Sequence, residues 1–391
     1  MHDSQPSGGR GRTLPTVETP HVAVHVGKET VLRSARGMRV VSIIAVGGLA
    51  LSAAACGDAP EEDTGGTTAE KYTACMVTDV GGIDDRSFNT SAWKGVQAAA
   101  AEDKNIDPKY VASTAEADYE PNLTQYVNQK CKFILAVGGL MGDATQKVAA
   151  ANSSQQFGIV DAKLAATNVY PMQFDTAQAA FLAGYLAAGY SKSGKVGTYG
   201  GLPIPPVTIF MDGFADGVAE YNKAKGKNVQ VLGWNKSTQK GSFTNDFVKQ
   251  DEGKKVSDTL VAQGADVIMP VAGGAGLGTA AAAQAANGAY SVIWVDVDGC
   301  ESAQQYCSTF LTTVVKNIPD AVKDAVLKGA KGETLSSSAG FLGTLANNGV
   351  SIAPYHEFDS KVPADLKAEV DKLKADIIAG TIKVTSAAQP K

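Results

Sequence analysis

Short apolar segments alternate with amphipathic segments along most of this chain, from residue 72 to residue 379. In the first series, strands are predicted at residues 72–78 and 132–137, and an alanine-rich helix is predicted at residues 91–103. A second series of the same kind begins with a strand at residues 195–199. Strands that alternate with helices pair in parallel, with helices on both faces of the sheet. The pattern therefore predicts an α/β protein with two such lobes, divided near residues 172–200.

An apolar run at residues 40–55 leads directly into Cys56, and basic residues precede it. These features are typical of a secretory signal, and a cysteine at the break resembles the bacterial lipobox, in which the thiol is acylated. We predict a signal peptide at residues 38–55, lipidation of Cys56 and a disordered linker at residues 56–70. Residues 1–37 are interpreted as a mis-called start or a disordered extension. The alternative is a short transmembrane anchor, although a spanning helix needs roughly 20 residues.

Charge and histidine content narrow the classes of function. The formal net charge is -5, and no basic patch suggests a nucleic acid partner. His356 is the one histidine that follows Cys56, so a Ser-His-Asp triad or a histidine-rich metal site has little material. We expect His356 itself to lie in a surface loop. No CxxC spacing is present, which argues against zinc. We predict no metal, no cofactor and no catalysis.

Four cysteines follow Cys56, and an even number in an exported protein favours disulfides. Cys75 and Cys131 each stand beside a predicted strand, so they could bridge neighbouring strands. Cys300 and Cys307 would close a short loop. We predict these two bridges; the alternative is four buried free thiols.

Residues that directly follow predicted strands are candidate binding residues, because ligands of parallel α/β folds bind beyond the carboxyl ends of the strands. Carboxylates, which accept hydrogen bonds, and a glycine, which allows close backbone approach, stand at these positions: Asp79, Asp161, Gly273, Asp296 and Asp298. The glycines of residues 274–278 imitate a dinucleotide fingerprint, but the third glycine comes one position early. A dehydrogenase is therefore a minor alternative.

Two aromatic residues and one lysine complete the candidate site. Phe88 and Asn89 stand between a strand and a helix, where a ring can stack on a planar heterocycle and an amide can bond its edge. The alternative is that Phe88 staples the helix to the core while Asn89 caps it. Phe243 precedes a helix of the second series, and the two phenylalanines could sandwich one planar ring; alone, Phe243 is more often a core residue. Lys316 would add a charged donor beside ribose-binding carboxylates, or it is a solvated lysine.

The string Val-Thr-Asp-Val-Gly-Gly-Ile-Asp-Asp-Arg-Ser-Phe-Asn at residues 77–89 resembles the basic membrane protein (BMP) family of bacterial lipoproteins, the purine-nucleoside receptors of ABC importers. The resemblance spans roughly residues 72–360, with further matching strings at residues 179–187, 212–218, 241–243, 272–276 and 295–298. It implies a two-lobed type I periplasmic-binding-protein fold, in which each lobe is a parallel sheet flanked by helices and the hinge has several strands. Residues 71–172 plus 299–336 are expected in lobe 1, and residues 173–298 plus 337–391 in lobe 2.

The resemblance also implies ligand contacts. Phe88 and Phe243 match the positions whose rings sandwich the base. The other matching positions contact the base edge (Asn89, Asp161), the ribose (Asp296, Lys316) or the ligand through the backbone (Gly273). The chain departs from the family pattern at residues 244–246 and at Gly299, which leaves the base preference open.

Together these features predict a monomeric, lipid-anchored solute-binding protein on the outer face of the plasma membrane. It would close its lobes around a nucleoside, with a purine favoured, and deliver it to an ABC permease without chemistry. The alternatives are a sugar receptor, a surface sensor or adhesive lipoprotein, and a nucleoside-processing enzyme.

Overall fold

The computed structural model describes residues 70–390. The predicted signal peptide, Cys56 and all but the last residue of the predicted linker lie outside the described residues. Within residues 70–390 the strands form two six-stranded sheets and one short hairpin, and helices pack on the sheets.

The first sheet consists of strands from the first series and one strand from late in the chain. Its members are β1 (Tyr72–Thr78), β2 (Ile106–Val111), β3 (Phe133–Val137), β4 (Gln156–Val160), β5 (Val169–Phe174) and β13 (Phe341–Gly343). They lie in the order β13-β5-β4-β3-β1-β2, and all neighbours run parallel. β3 is apolar and buried along its whole length, because a parallel strand covered by helices on both faces has no solvent side.

The second sheet repeats this arrangement. Its members are β6 (Lys195–Gly200), β7 (Gln230–Leu232), β10 (Val267–Val271), β11 (Ser291–Asp296), β12 (Phe310–Lys316) and β14 (Val350–Ile352). They lie in the order β14-β12-β11-β10-β6-β7, and the edge strand β14 is antiparallel to β12. A hairpin of β8 (Trp234–Asn235) and β9 (Lys240–Gly241) follows β7.

Helices cover both sheets. The first lobe carries α1 (Phe88–Glu102), α2 (Tyr119–Asn128), α3 (Gly142–Ala151) and α9 (Ile318–Ala330). The second lobe carries α4 (Thr176–Tyr190), α5 (Pro205–Lys225), α6 (Gln250–Ala262), α7 (Leu277–Ala285), α8 (Gly299–Ser302) and α10 (Ala364–Ile378). Short 3-10 turns occur at Glu116–Asp118, Gly139–Met141, Gly273–Gly276, Gln304–Thr309 and His356–Phe358. Across residues 70–390, no helix combines the length and apolar character that a membrane span requires.

Helices α4 and α5 cross in close backbone contact. A Cβ atom added to Gly184 would lie 2.1 Å from the carbonyl oxygen of Phe214, and one added to Gly217 would lie 2.0 Å from the carbonyl oxygen of Phe181. Only glycine allows this approach. Gly184 and Gly217 thus allow α4, which follows the first sheet in the chain, to pack tightly against α5 of the second lobe.

Two segments join the opposite sheet from the one expected. Residues 299–336 were expected in lobe 1, but Phe310–Lys316 forms β12 of the second sheet, beside β11; only α9 returns to pack on α1. Residues 337–391 were expected in lobe 2, but Phe341–Gly343 pairs with β5 of the first sheet. The apolar pattern of a segment indicates a strand, whereas the sheet that it joins depends on which edge lies nearby at the hinge.

The described chain crosses between the lobes three times, after Phe174, Lys316 and Gly343. These crossings form the multi-strand hinge expected from the resemblance. Lobes joined by a hinge can open and close around a ligand through backbone changes in a few hinge residues.

Both predicted disulfides are present. Cys75 on β1 bonds to Cys131 just before β3, with their Cα atoms 6.1 Å apart. Cys300 bonds to Cys307 with their Cα atoms 4.5 Å apart. The first bridge ties the neighbouring strands β1 and β3, and the second closes the loop between β11 and β12.

Candidate functional site

A cleft lies between the lobes where the carboxyl ends of strands from both sheets meet. It contains about 570 Å³ of empty space when its open side is included. From the first lobe it is lined by residues that follow β1, β3 and β4, and from the second by residues at the ends of β10, β11 and β12. The rule that ligands bind beyond the carboxyl ends of parallel strands therefore holds for both sheets at once.

Seven of the nine predicted binding residues line this cleft. They are Asp79, Phe88, Asn89, Asp161, Gly273, Asp296 and Lys316. Residues that were not predicted from the sequence also line it: Asp85, Leu140, Ile204, Phe210 and Phe247. Phe243 and Asp298 are not among the lining residues.

Phe243 lies beside the second sheet. Its backbone forms an isolated parallel bridge with Gly200, and its ring meets Trp234 edge-on with centroids 6.2 Å apart. The backbone of Phe243 therefore pairs with the last residue of β6, and its ring packs against Trp234. The alternative that Phe243 is a core residue describes it better than the sandwich role implied by the resemblance.

Phe247, four residues later, supplies the second-lobe ring at the cleft. The side-chain hydroxyl of Thr244 donates to the carbonyl of Asp246 at 2.5 Å, and the Asp246 carboxylate accepts from two following backbone amides. This turn brings Phe247 back over Gly201, where an added Cβ would lie 2.3 Å from the ring. Phe247 was not predicted from the sequence, although the chain departs from the family pattern at residues 244–246, directly before it.

Asp298 is directed away from the cleft. The chain turns at Asp296, whose φ is 69°, and the amide of Val297 bonds to the carbonyl of Val295 at 2.9 Å. After this turn, Asp298 caps α8 by accepting from the amide of Cys300 at 3.0 Å. Its other oxygen lies 2.7 Å from Nε2 of His356. The role of Asp298 is thus to hold the loop after β11, not to contact a ligand in the cleft.

The start of α1 holds the first-lobe groups in place. The Asp85 carboxylate accepts from the backbone amides of Ser87, Asn89 and Thr90 at 3.0, 2.7 and 3.0 Å, so Asp85 caps the helix. The Asn89 amide nitrogen donates to Asp79 at 2.8 Å and to Asp85 at 3.3 Å. These bonds fix the orientation of the Asn89 amide.

The carbonyl oxygen of the Asn89 side chain is buried and has no hydrogen-bond partner among the described residues. Since a buried polar atom without a partner is unfavourable, and since Asn89 lines the cleft, this oxygen is placed to accept an N–H group from a ligand.

Lys316 is the charged centre of the cleft. Its side chain is 2% exposed and pairs with Asp161 across the lobes. Its Nζ also lies 4.8 Å from the ring centroid of Phe88, 5.3 Å from that of Phe174 and 5.8 Å from that of Phe210. The solvated surface lysine considered as an alternative is therefore excluded.

Four carboxylates share the cleft with Lys316, and burial raises the pKa of each. For Asp79 and Asp161 burial is the largest cause, although Lys316 acts to lower the pKa of Asp161. Burial raises the pKa of Asp85 to about 6 against the hydrogen bonds that it accepts. It raises the pKa of Asp296 to about 6 against Lys316 and Ser87. A cleft rich in acceptors suits a neutral ligand with several hydroxyl or N–H donors and disfavours a phosphorylated one.

The fold and the interlobe cleft define a two-lobed periplasmic-type solute-binding protein. A solved ABC transporter solute-binding protein from Aeropyrum pernix K1 matches with a TM-score of 0.71 and 24% identity, covering 80% of this chain and 92% of that one. Another, from Conexibacter woesei, matches with a TM-score of 0.59 and 18% identity over 81% of this chain and all of that one. At these identities the likeness concerns the fold.

The family is shown by sequence. Residues 72–387 match the family described as ABC transporter substrate-binding protein PnrA-like. The "ABC transporter nucleoside-binding protein BmpA" of Lactococcus lactis is 30% identical over 373 residues, covering 88% of this chain and 99% of that protein. The "CD4+ T-cell-stimulating antigen" of Listeria innocua is 31% identical over 88% of this chain and 96% of its own length. The chain belongs to the BMP family of ABC transporter substrate-binding proteins.

Proposed function

We propose that this substrate-binding protein captures a nucleoside, with a purine base favoured, and presents it to an ABC permease. The observation that carries the proposal is that Phe88 of one lobe and Phe247 of the other line the same cleft. Two rings on opposite lobes can hold a planar base between them, and stacking on an aromatic ring is available to any base. The relative from Lactococcus lactis bears a nucleoside-binding name, which supports the same ligand class.

Polar groups beside the rings suit the rest of a nucleoside. The free Asn89 oxygen would accept an N–H of the base edge. Asp296 would accept from neighbouring ribose hydroxyls, since one ionised carboxylate can accept two hydrogen bonds. Lys316 would complete the ribose contacts, and Asp161, its partner on the other lobe, would face the base edge. Gly273, with φ of 52°, leaves the backbone open to the ligand. Nothing in this assignment requires bond breaking, so the ligand should leave unchanged.

Titration calorimetry tests the ligand class. We expect inosine, guanosine or adenosine to bind at least tenfold more tightly than the corresponding free base, because the ribose contacts are lost in the base. Ribose and glucose should bind weakly because they lack the stacked ring. Inosine monophosphate should also bind weakly, because its charge would enter a cleft with four carboxylates. Binding of a sugar in the absence of any nucleoside binding would favour the sugar-receptor alternative, and conversion of the nucleoside during incubation would favour an enzyme.

The lipid anchor is a separate part of the proposal and concerns Cys56. Replacing Cys56 by alanine removes the thiol that would be acylated, so the variant should appear in the culture medium or remain uncleaved. Wild-type protein should fractionate with the membrane and carry an acyl mass on its N-terminal peptide. A wild-type protein that carries no acyl mass and is released to the same extent as Cys56→Ala would contradict the lipoprotein assignment. It would also contradict the predicted location on the outer face of the plasma membrane.

A further inference from the structure

The two lobes contact each other directly across the cleft. The hydroxyl of Ser87, on the first lobe, donates to Oδ2 of Asp296, on the second lobe, at 2.5 Å. The indole nitrogen of Trp294 donates to the carbonyl of Arg86 at 3.4 Å. Together with the pair formed by Lys316 and Asp161, these bonds join the ends of β11 and β12 to the loops after β1 and β4.

Ser87 stands where a serine ordinarily caps a helix with its own side chain. It directly precedes α1, yet its hydroxyl makes no capping bond to that helix. Asp85 performs the capping instead, through three backbone amides. The Ser87 hydroxyl is consequently available to the other lobe, where it meets Asp296 and lies 3.5 Å from the carbonyl of Val295. Ser87 is fully buried, so water does not compete for this bond.

We propose that Ser87 is a positioning residue that holds the Asp296 carboxylate across the lobes when they close. Oδ2 of Asp296 is then occupied by Ser87, and Oδ1 is the oxygen left for the ligand. This inference rests on the proposed function only in taking the ligand of Asp296 to be a ribose hydroxyl. The hydrogen bond between Ser87 and Asp296 couples closure of the lobes to the orientation of the Asp296 carboxylate, whichever ligand binds.

The charges around Asp296 come from both lobes. Burial raises its pKa most, and Asp161 and Asp85 also raise it; Lys316 and the Ser87 hydrogen bond lower it. Asp79 is a further carboxylate that interacts with Asp296. In the closed form, removing the Ser87 hydroxyl leaves all the other groups in place, so the pKa of Asp296 in that form should rise. Because the ionised form is the one that accepts two hydroxyl groups, ligand binding should then require a higher pH.

The experiment compares Ser87→Ala with Ser91→Ala in the full-length protein without ligand. Ser91, in the first turn of α1, is a matched control because it is as buried as Ser87, but its hydroxyl donates to the backbone carbonyl of Ser87 at 2.7 Å and not to Asp296. In carbon-13 NMR, Ser87→Ala should move the titration midpoint of Asp296 in the closed form up by about one to two pH units, because a hydrogen bond to a charged group stabilises that group by about 1.5–3 kcal/mol. Spin labels on the lobes should also report a larger open fraction. Ser91→Ala should change neither reading.

Unchanged titration and unchanged lobe distances in a folded Ser87→Ala would overturn the proposal. If that variant folds poorly, Ser87→Cys retains the size with a weaker donor and should give a shift of the same sign. In an Asp296→Ala background, Ser87→Ala should open the lobes no further, because coupled partners are not additive; additive opening would also overturn it. These measurements need no ligand, so they remain decisive if the protein proves to bind no nucleoside.

Discussion

Replacing Lys316 by methionine is expected to lower the free energy of unfolding at pH 7 by about 3–5 kcal/mol, the usual cost of removing one partner of a buried ion pair. Lys316 and Asp161 are almost wholly buried, so the variant leaves Asp161 as an unpaired charge. Methionine has similar length and can keep the packing against the rings of Phe88, Phe174 and Phe210. Urea unfolding followed by circular dichroism measures the loss.

The pH dependence identifies the unpaired carboxylate as the cause. Lys316 lowers the pKa of Asp161 against the effect of burial, so the pKa in the folded variant should rise further above its unfolded value of about 3.9. A raised carboxyl pKa means that Asp161 stays protonated to a higher pH in the folded state than in the unfolded state. The folded state is therefore destabilised as the pH rises through the pKa of Asp161 in the folded state. The deficit of Lys316→Met relative to wild type should therefore be smaller at pH 5 than at pH 8.

Lys323→Met is the control for loss of a positive charge. Lys323 pairs with Glu102 at 2.6 Å on the surface, where ion pairs contribute at most about 1 kcal/mol. We expect Lys323→Met to change stability by about 0.5 kcal/mol or less, with no difference between the two pH values. A Lys316→Met deficit below about 1 kcal/mol, or one equal at pH 5 and pH 8, would contradict the assignment of Lys316 as the compensating charge of the cleft.

The main part of the site was predictable because it depends on strand ends. Asp79, Asp161 and Asp296 each directly follow or end an apolar strand, and parallel strands place those ends on one edge of the sheet. Two sheets that face each other through these edges then bring all three carboxylates into one cleft. The predicted disulfides followed from the same reasoning, since Cys75 and Cys131 stand beside strands that became neighbours.

What the sequence did not predict depends on local turns and on the choice of sheet. Asp298 is two residues from Asp296, which would place both on one face of a continuing strand, but the left-handed turn at Asp296 directs it elsewhere. Lys316 was open to interpretation as an exposed residue because its strand, β12, was not predicted. Both β12 and β13 cross the hinge, and each joins the sheet of the other lobe from the one expected. Such pairings are fixed by tertiary contact and leave no periodic signal in the chain.

Whether Phe243 or Phe247 reaches the cleft is also decided by a local turn, and this difference gives the sharpest test of ligand binding. Both phenylalanines precede α6, and only the turn at residues 244–246 decides which ring reaches the cleft. We expect Phe88→Ala and Phe247→Ala each to weaken nucleoside binding about five- to over a hundredfold, since stacking of a base on a ring contributes about 1–3 kcal/mol. The rings lie on opposite lobes, so the ligand contacts both only in the closed form.

Phe243→Ala is the matched control, because it removes the same ring from the same loop outside the cleft. It should lower the free energy of unfolding by about 1–3 kcal/mol, through lost packing against Trp234, while the affinity stays within about threefold of wild type. Calorimetry at a temperature where all three variants are folded by circular dichroism separates the two effects. If Phe243→Ala loses affinity and Phe247→Ala does not, then the ring that meets the base is Phe243, and the cleft must rearrange on binding. Retention of full affinity by both Phe88→Ala and Phe247→Ala would instead remove the stacking basis of the nucleoside proposal.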